Sequence, residues 1–343
     1  MAPRTKKVLQ TLLSFFVAGL FLYLAFRGTK FSDLWDSLQQ VDYRWVAVMV
    51  PVGLASHYIR AVRWGYLLKP VKSGIRNRNL FSSVMIGYLM NNILPRLGEL
   101  VRCYGLSRAE GLKTTSVLGT VVVERILDLL VFSLLLCGVV VLFPAVLSPF
   151  VENVQAMRPV FLLGSVGALA LFIILFFKGE AVFTIVKILQ PVIPARFRER
   201  FHHLIASFLS GFGVARMSET FLPIVLLSLS MWFLYILSLY LAFFAFPVLE
   251  GFNLGFDAAI ILLTASTIAF ILPAPGAMGT YHSFLTLVLV QLYQVESTTA
   301  LSYSILTHEL GYVLTTGVGL YFLLKDQLTL SEIDQVAQQS AKP

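Results

Sequence analysis

Hydrophobic positions along this chain come in long blocks, not in the alternation of a half-buried strand or the stripe of a surface helix. Six blocks reach the roughly 20 residues that a helix needs to cross a bilayer. They are Val8–Phe26, Tyr43–Val62, Thr114–Phe143, Val160–Phe177, Thr220–Phe246 and Thr299–Leu324. Two shorter blocks remain, Leu80–Leu94 and Ala258–Leu272, and both end in the same way. Ile93 to Leu100 reads ILPRLGEL and Ile271 to Met278 reads ILPAPGAM, so I-L-P-x-x-G occurs twice.

The repeated break has a physical reading. Backbone that is not helical leaves N–H and C=O groups unpaired, and each would cost several kcal/mol in lipid. Such backbone is tolerated only inside protein or beside a water-filled cavity. Pro95, Pro273 and Pro275 break the helices, while Gly98, Gly276 and Gly279 allow the turns. If each short block dips in and returns to the same side, the six longer blocks keep a consistent topology. The pattern predicts an all-α polytopic membrane protein with about six spanning helices and two re-entrant broken-helix hairpins. Arranged as inverted repeats, one hairpin would enter from each side. Residues 1–328 form a single transmembrane domain, and the polar tail 329–343 lacks a core pattern and is expected to be disordered.

Composition agrees. Of the 343 residues 57% are hydrophobic and 13% charged, against roughly 25% charged in soluble domains. The net charge of +8 sits mainly at the ends of apolar blocks, as topogenic signals do. No zinc spacing or RNA-binding pattern accompanies it, so nucleic acid is not an expected partner. Arg4, Lys6 and Lys7, then Arg60, Arg63, Lys69, Lys72, Arg76 and Arg78, then Lys178 to Arg200, and finally Lys325 place both termini in the cytoplasm. The first block is longer than a signal peptide's core and no A-x-A site follows it, so a retained span is expected. Ala195–Glu219, with Phe197, Phe201, Leu204, Phe208 and Phe212 at helical spacing, reads as an amphipathic helix on the cytoplasmic leaflet. Phe31–Trp45 is its weaker counterpart outside. Cys103 and Cys137 suit neither a disulfide nor a metal site.

Charges inside the apolar blocks carry the candidate chemistry. Asn91, Asn92, Arg96, Glu99 and Arg102 surround the first break, while Glu124, Arg125 and Asp128 lie inside the third long block. Each ionised side chain at a bilayer centre costs about 2.5–3.5 kcal/mol on insertion scales, so these must pair or face a cavity. Glu124 and Asp128, four apart, share a helix face. They are expected to meet Arg96 or Arg102, leaving one arginine to hold a phosphate bidentately. The plainer reading is a structural ion-pair network. Beyond the second break lie Tyr281 and His282, and the last block carries His308 and Glu309. A zinc H-E-x-x-H would need histidine at Tyr312, and no nucleotide-binding loop or nucleophile motif occurs, so neither metal nor cofactor is expected.

RAVRWGYLL, NNILPRLGELVR, VVVERILDLL, PAPGAMGTYHSF and HELGYVLTTGVGLYFL, in this order, resemble the lysylphosphatidylglycerol synthase transmembrane family, also called the flippase-like or UPF0104 group. That resemblance covers about Val8 to Leu324. It implies a multi-pass, lipid-translocating domain with re-entrant helices in a bacterial-type cytoplasmic membrane. Asn92, Pro95, Arg96, Gly98, Glu99 and Arg102 fall on the family's first break, and Glu124, Arg125 and Asp128 on its charged helix. Many members carry an acidic or basic residue just past the second turn, where this chain has Tyr281 and His282. The aminoacyl-transferring domain of bifunctional members has no counterpart in the sequence, so a separate lipid-synthesising enzyme is a candidate partner beside membrane lipids. The expected activity is movement of a polar-headgroup lipid without ATP, either passive or coupled to protons through His282, His308 and Glu309. Alternatives are an intramembrane enzyme acting on a lipid-linked sugar or phosphate, and a non-transporting organiser of other membrane proteins.

Overall fold

A computed structural model gives the fold, describing residues 3–93, 97–144, parts of 159–170, 218–328 and 332. Helices α1 (Pro3–Phe26), α2 (Phe31–Gln39), α3 (Tyr43–Leu68), α4 (Asn77–Ile93), α5 (Leu97–Glu110) and α6 (Thr114–Leu142) come first. After residue 217 follow α7 (Ser218–Phe244), α8 (Phe256–Ile271), α9 (Thr280–Tyr293) and α10 (Ser297–Lys325). Short 3-10 turns occupy Pro247–Gly251 and Pro275–Ala277, and no strand occurs among the described residues. The protein is an all-α membrane protein.

Among the described residues three helices are long and apolar enough to cross a bilayer alone: α3, α6 and Glu219–Phe244 within α7. Just after the first block the chain bends by 79°, between Leu12–Phe26 and Phe31–Gln39. Gly28, at φ 88°, forms the corner. The expected outer segment Phe31–Trp45 is therefore divided, because Asp42 ends it by accepting the Arg44 N–H at 3.0 Å and capping α3. Helix α10 has 29 residues, about 43 Å at 1.5 Å per residue. Buried Thr299, Ser302, Ser304, His308 and Thr315 dilute its apolar character, and they face protein, not lipid. By contrast Phe15, Phe16, Tyr23, Leu222, Leu229, Val313 and Leu324 are exposed, an apolar surface suited to acyl chains. Most of Val160–Phe177 and the tail, nearly all of the amphipathic segment Ala195–Glu219, and Pro95 and Arg96 lie outside the described residues.

After each short block the chain folds back against it, α5 on α4 and α9 on α8. Residues 11 apart in one continuous helix would be separated by about 16 Å, yet a Cβ on Gly98 would lie 1.9 Å from the carbonyl oxygen of Gly87. The arms α4 and α5 thus cross in backbone contact, which only glycine allows. Their far ends meet as well: Glu110 Oε1 accepts from Asn79 Nδ2 at 2.7 Å, and Glu110 also pairs with Lys72 at 2.6 Å. In the second hairpin Thr280 Oγ1 donates to the Ala269 carbonyl at 3.2 Å across the 272–279 break. Gly279, at φ 79°, lies against α1, where a Cβ would meet Ala18 O at 2.5 Å and Leu22 N at 2.6 Å.

One apolar core joins α7, α8, α9 and α10 around Met231, Leu262, Leu285 and Tyr303, whose hydroxyl donates to Leu239 O at 2.6 Å. Another, around Trp64, Leu68, Leu80, Leu106 and Val121, ties α3 to both arms of the first hairpin and to α6. One sequence expectation is corrected at this point. The second block does not end at Val62; α3 continues to Leu68 and carries Arg60 and Arg63 inside the bundle, 6% and 0% exposed. They are not loop charges. The run RAVRWGYLL extends the helix, and buried carboxylates across from it pair with both guanidiniums.

Candidate functional site

Two polar clusters lie inside the bundle, one beside each hairpin. The first is a cage of charges built on α3, α5 and α6. Glu124, fully buried, is its hub. Its Oε1 accepts from Arg60 Nε at 2.7 Å and lies 3.5 Å from Arg63 Nη2, while Oε2 accepts from Arg102 Nη2 at 2.9 Å. Asp128, one turn along α6, accepts from Arg60 Nη2 at 2.5 Å and from Arg63 Nη2 at 2.7 Å. The i, i+4 spacing that puts Glu124 and Asp128 on one face of α6 thus meets the i, i+3 spacing of Arg60 and Arg63 on α3. Glu99 lies 3.2 Å from Arg102 and accepts from Arg125 Nη2 at the cage's half-exposed edge.

Neutral groups complete the enclosure. Ser228 on α7 accepts from Arg63 Nη1 at 3.1 Å, Tyr235 lies 3.5 Å from Arg60 Nη1, and the Trp64 ring sits 4.8 Å from the Arg102 guanidinium. Among the described residues, four arginines against three carboxylates leave one net positive charge. Nε of Arg63 and Nε of Arg102 are buried without a hydrogen-bond partner among the described residues. A site of this charge, with unspent N–H donors in low dielectric, suits an anionic oxygen.

The second cluster sits where the two hairpins meet on α10. From the end of α4, Asn92 Nδ2 donates to Thr316 Oγ1 at 2.9 Å, and its carbonyl lies 3.4 Å from the Tyr312 hydroxyl. Gly276, in the second break, packs on the Tyr312 ring, where a Cβ would come within 2.8 Å. One turn away, His308 Nε2 lies 2.8 Å from Gly276 O and His308 Nδ1 lies 3.1 Å from Glu309 Oε1. His282, third residue of α9, accepts the Gly279 N–H at Nδ1, 3.2 Å away, and so caps that helix. Its Nε2 lies 3.9 Å from the same Glu309 oxygen. The Tyr281 hydroxyl donates to Thr307 at 3.1 Å.

One ligand atom from each of His282, His308 and Glu309 falls within 4.8 Å of the others, a spacing a cation could bridge. The donor set does not fit one. To ligate through Nε2, neutral His282 would carry its proton on Nδ1, and that proton would collide with the Gly279 N–H.

Of the residues singled out from sequence, Glu99, Arg102, Glu124, Arg125 and Asp128 come together in the first cluster, and Asn92, Tyr281, His282, His308 and Glu309 around the second. Asn91 joins neither charged group; its Oδ1 accepts the Gly98 N–H at 2.9 Å across the first break. The expected Arg102–Glu124 pair is present, and Arg96 lies outside the described residues. Sequence reasoning missed Arg60, Arg63, Ser228 and Tyr235. A signal existed for the first two, since Ser56, Arg60 and Arg63 recur at helical spacing in a largely apolar segment.

Known proteins place the chain. Its residues 11–319, about nine-tenths of its length, match the lysylphosphatidylglycerol synthase TM region. A UPF0104 membrane protein of Pyrococcus horikoshii is 23% identical over 315 residues, covering 85% of this chain and 90% of the relative. UPF0104 membrane proteins of Methanocaldococcus jannaschii and Methanothermobacter thermautotrophicus are 36% and 27% identical over 77 and 119 residues. Those two matches cover 22% and 33% of this chain, and the chain spans only 23% and 35% of those relatives' own lengths. No solved structure matches. The breadth of the first match carries the assignment: this chain belongs to the family of the lysylphosphatidylglycerol synthase transmembrane region.

Proposed function

We propose that this protein moves a lipid with a polar, anionic headgroup across the cytoplasmic membrane. One observation carries the reading: two broken helices from distant parts of the chain converge on α10, with polar groups at their meeting point. Non-helical backbone at membrane depth needs protein or water around it, and this convergence supplies protein. The hairpin arms have 14 to 17 residues, about 21–26 Å as helix. That is shorter than the roughly 30 Å hydrocarbon core, which supports re-entrant hairpins over full spans. The cage, with its surplus positive charge, would receive the headgroup while the tails stay in lipid beside the exposed apolar helices. Membership of a lipid-related membrane family supports the same reading.

Reconstitution tests it. Vesicles of phosphatidylcholine containing a labelled phosphatidylglycerol, or its lysyl ester, should lose leaflet asymmetry faster with the protein than without it. A panel of headgroups then ranks the substrates. Equal rates with and without protein for every headgroup would sink the transport reading. Covalent change of a lipid-linked sugar or phosphate in detergent, where no compartments exist, would favour an intramembrane enzyme.

Arg102→Lys sharpens the test. Lysine keeps the charge beside Glu124 and Glu99 but loses the planar fork and the stacking on Trp64. Transport is expected to fall about tenfold, the cost of one charge-assisted contact, with thermal stability shifted by only a few degrees. Stability falling in proportion to transport would make Arg102 scaffold.

Topology gives a further expected outcome. Single cysteines at Arg76 and at Val248, both exposed, should react with a membrane-impermeant thiol reagent from opposite sides, Arg76 only from the cytoplasm. Labelling of both from one side would overturn the proposed orientation.

A further inference from the structure

Hydrogen-bond bookkeeping fixes the proton count of the second cluster. A backbone carbonyl only accepts, so His308 Nε2, 2.8 Å from Gly276 O, carries a proton. In a neutral ring Nδ1 then presents only a lone pair, yet it faces Glu309 Oε1 at 3.1 Å. An ionised carboxylate also presents only lone pairs. Two acceptors at that distance need a proton between them, on the ring or on the carboxyl. The pair is neutral in either form. The same reasoning applied to His282 puts its proton on Nε2, since Nδ1 accepts the Gly279 N–H. That proton lies toward the Glu309 oxygen, 3.9 Å away. The polar chain therefore runs from the Gly279 amide through His282, Glu309 and His308 to the Gly276 carbonyl, and it closes across the second break.

We propose that His308 and Glu309 form a proton-binding lock on the second hairpin break, and that release of the shared proton frees the Gly276–Gly279 turn. The inference deepens the transport reading and rests on it only for what the freed turn then does. The step is a plain dissociation. One proton leaves through Glu309, whose side chain is 40% exposed, and the pair passes from neutral to a single negative charge. Two lone pairs then oppose each other at His308 Nδ1, and turning the ring away breaks its bond to Gly276 O. The lock is therefore closed while the shared proton is bound and opens when rising pH removes it.

The groups facing the pair do not supply a substitute proton donor. On α9 the Tyr281 hydroxyl is spent on Thr307, and His282 gives its single proton toward Glu309. On α10 the Tyr312 hydroxyl is directed to Asn92 O. Around these groups the neutral Asn92 amide of α4 donates to Thr316, the Phe270 ring of α8 packs on Tyr281, and the α1 backbone at Ala18 and Leu22 lies against Gly279. The rings of Tyr281, His282 and Tyr312 pack around His308, and among the described residues the pair's only ion-pair contact is with His282.

Hydrogen exchange of the full chain in detergent tests the lock without requiring transport. Amide exchange in peptides covering residues 272–283, corrected for the intrinsic pH dependence, should quicken about tenfold as pH rises, about 1.4 kcal/mol. In Glu309→Gln the side-chain amide can donate to His308 Nδ1 at every pH, so the step should vanish and protection persist. His282→Gln leaves the pair intact and should retain the step. A flat wild-type profile, or an unchanged step in Glu309→Gln, overturns the lock. If Glu309→Gln does not fold, a wild-type step retained in His282→Gln supports the lock, and its loss there overturns it. Vesicle transport of phosphatidylglycerol under an imposed pH gradient separates the two ideas. Lipid movement with a flat exchange profile removes the lock and keeps transport, whereas an exchange step without lipid movement removes transport and keeps the lock.

Discussion

Replacing Glu124 by alanine will cost the protein its fold before it costs any activity. The carboxylate lies within hydrogen-bonding or ion-pair distance of three arginines from two other helices, Arg60 and Arg63 on α3 and Arg102 on α5. All four side chains are buried. Removing the hub takes the cage from one surplus positive charge to two and leaves guanidiniums facing a cavity. Breaking a buried ion pair by deleting one partner costs about 3–5 kcal/mol, a large share of the 5–15 kcal/mol that holds a typical domain. Thermal unfolding in detergent should show a large loss of stability or no folded protein at all. Glu99→Gln is the comparison, because Glu99 and Arg125 sit at the half-exposed edge. Such pairs contribute about 0–1 kcal/mol, so that variant should remain folded. Equal effects of the two substitutions would mean that Glu124 is not the hub.

The second large effect is expected at Gly98. A methyl group there would lie 1.9 Å from Gly87 O and 2.7 Å from the Asn91 side chain. Backbone cannot rotate away as a side chain can, so α5 would have to lift off α4. Overpacking typically costs about 1–3 kcal/mol. Here the displacement would also break the Gly98 N–H bond to Asn91 that closes the break. Gly98→Ala should fall at or above the top of that range, measured as a drop in unfolding temperature. Gly138→Ala is the control, since nothing lies within 4 Å of its added Cβ. At a helical site with compatible backbone the change to alanine should be neutral or stabilise by up to about 1 kcal/mol. A tolerated Gly98→Ala would show that the two arms do not cross in backbone contact.

Much of this was legible in the linear sequence. Long apolar blocks can only be helices once water is absent, because lipid offers the backbone no partner. The I-L-P-x-x-G pairs marked where two helices stop, since proline removes a donor. Gly276, at φ 54°, admits the second turn as expected, whereas Gly98 lies inside α5 and serves instead to let it pack on Gly87. Periodicity put Glu124 and Asp128 on one face, and the cost of ions in lipid required that face to find arginine. These are local properties, set by covalent geometry and by the solvent, and they can be read without knowing the neighbours.

Partner choice was not local. The sequence offered Arg96 and Arg102 to the carboxylates and assigned Arg60 and Arg63 to a loop, because a charge at the edge of an apolar block looks the same whether it faces water or a buried acid. Only the packing of α3 against α6 turned the two arginines inward. The meeting of Asn92 with Thr316, and of His282 with Glu309, joins segments far apart in the chain, through contacts that no periodicity encodes. The sequence determined where the helices run and where they break. Tertiary structure decided which charges neutralise one another, because that depends on distances of a few ångströms between helices whose relative placement is set by the whole core.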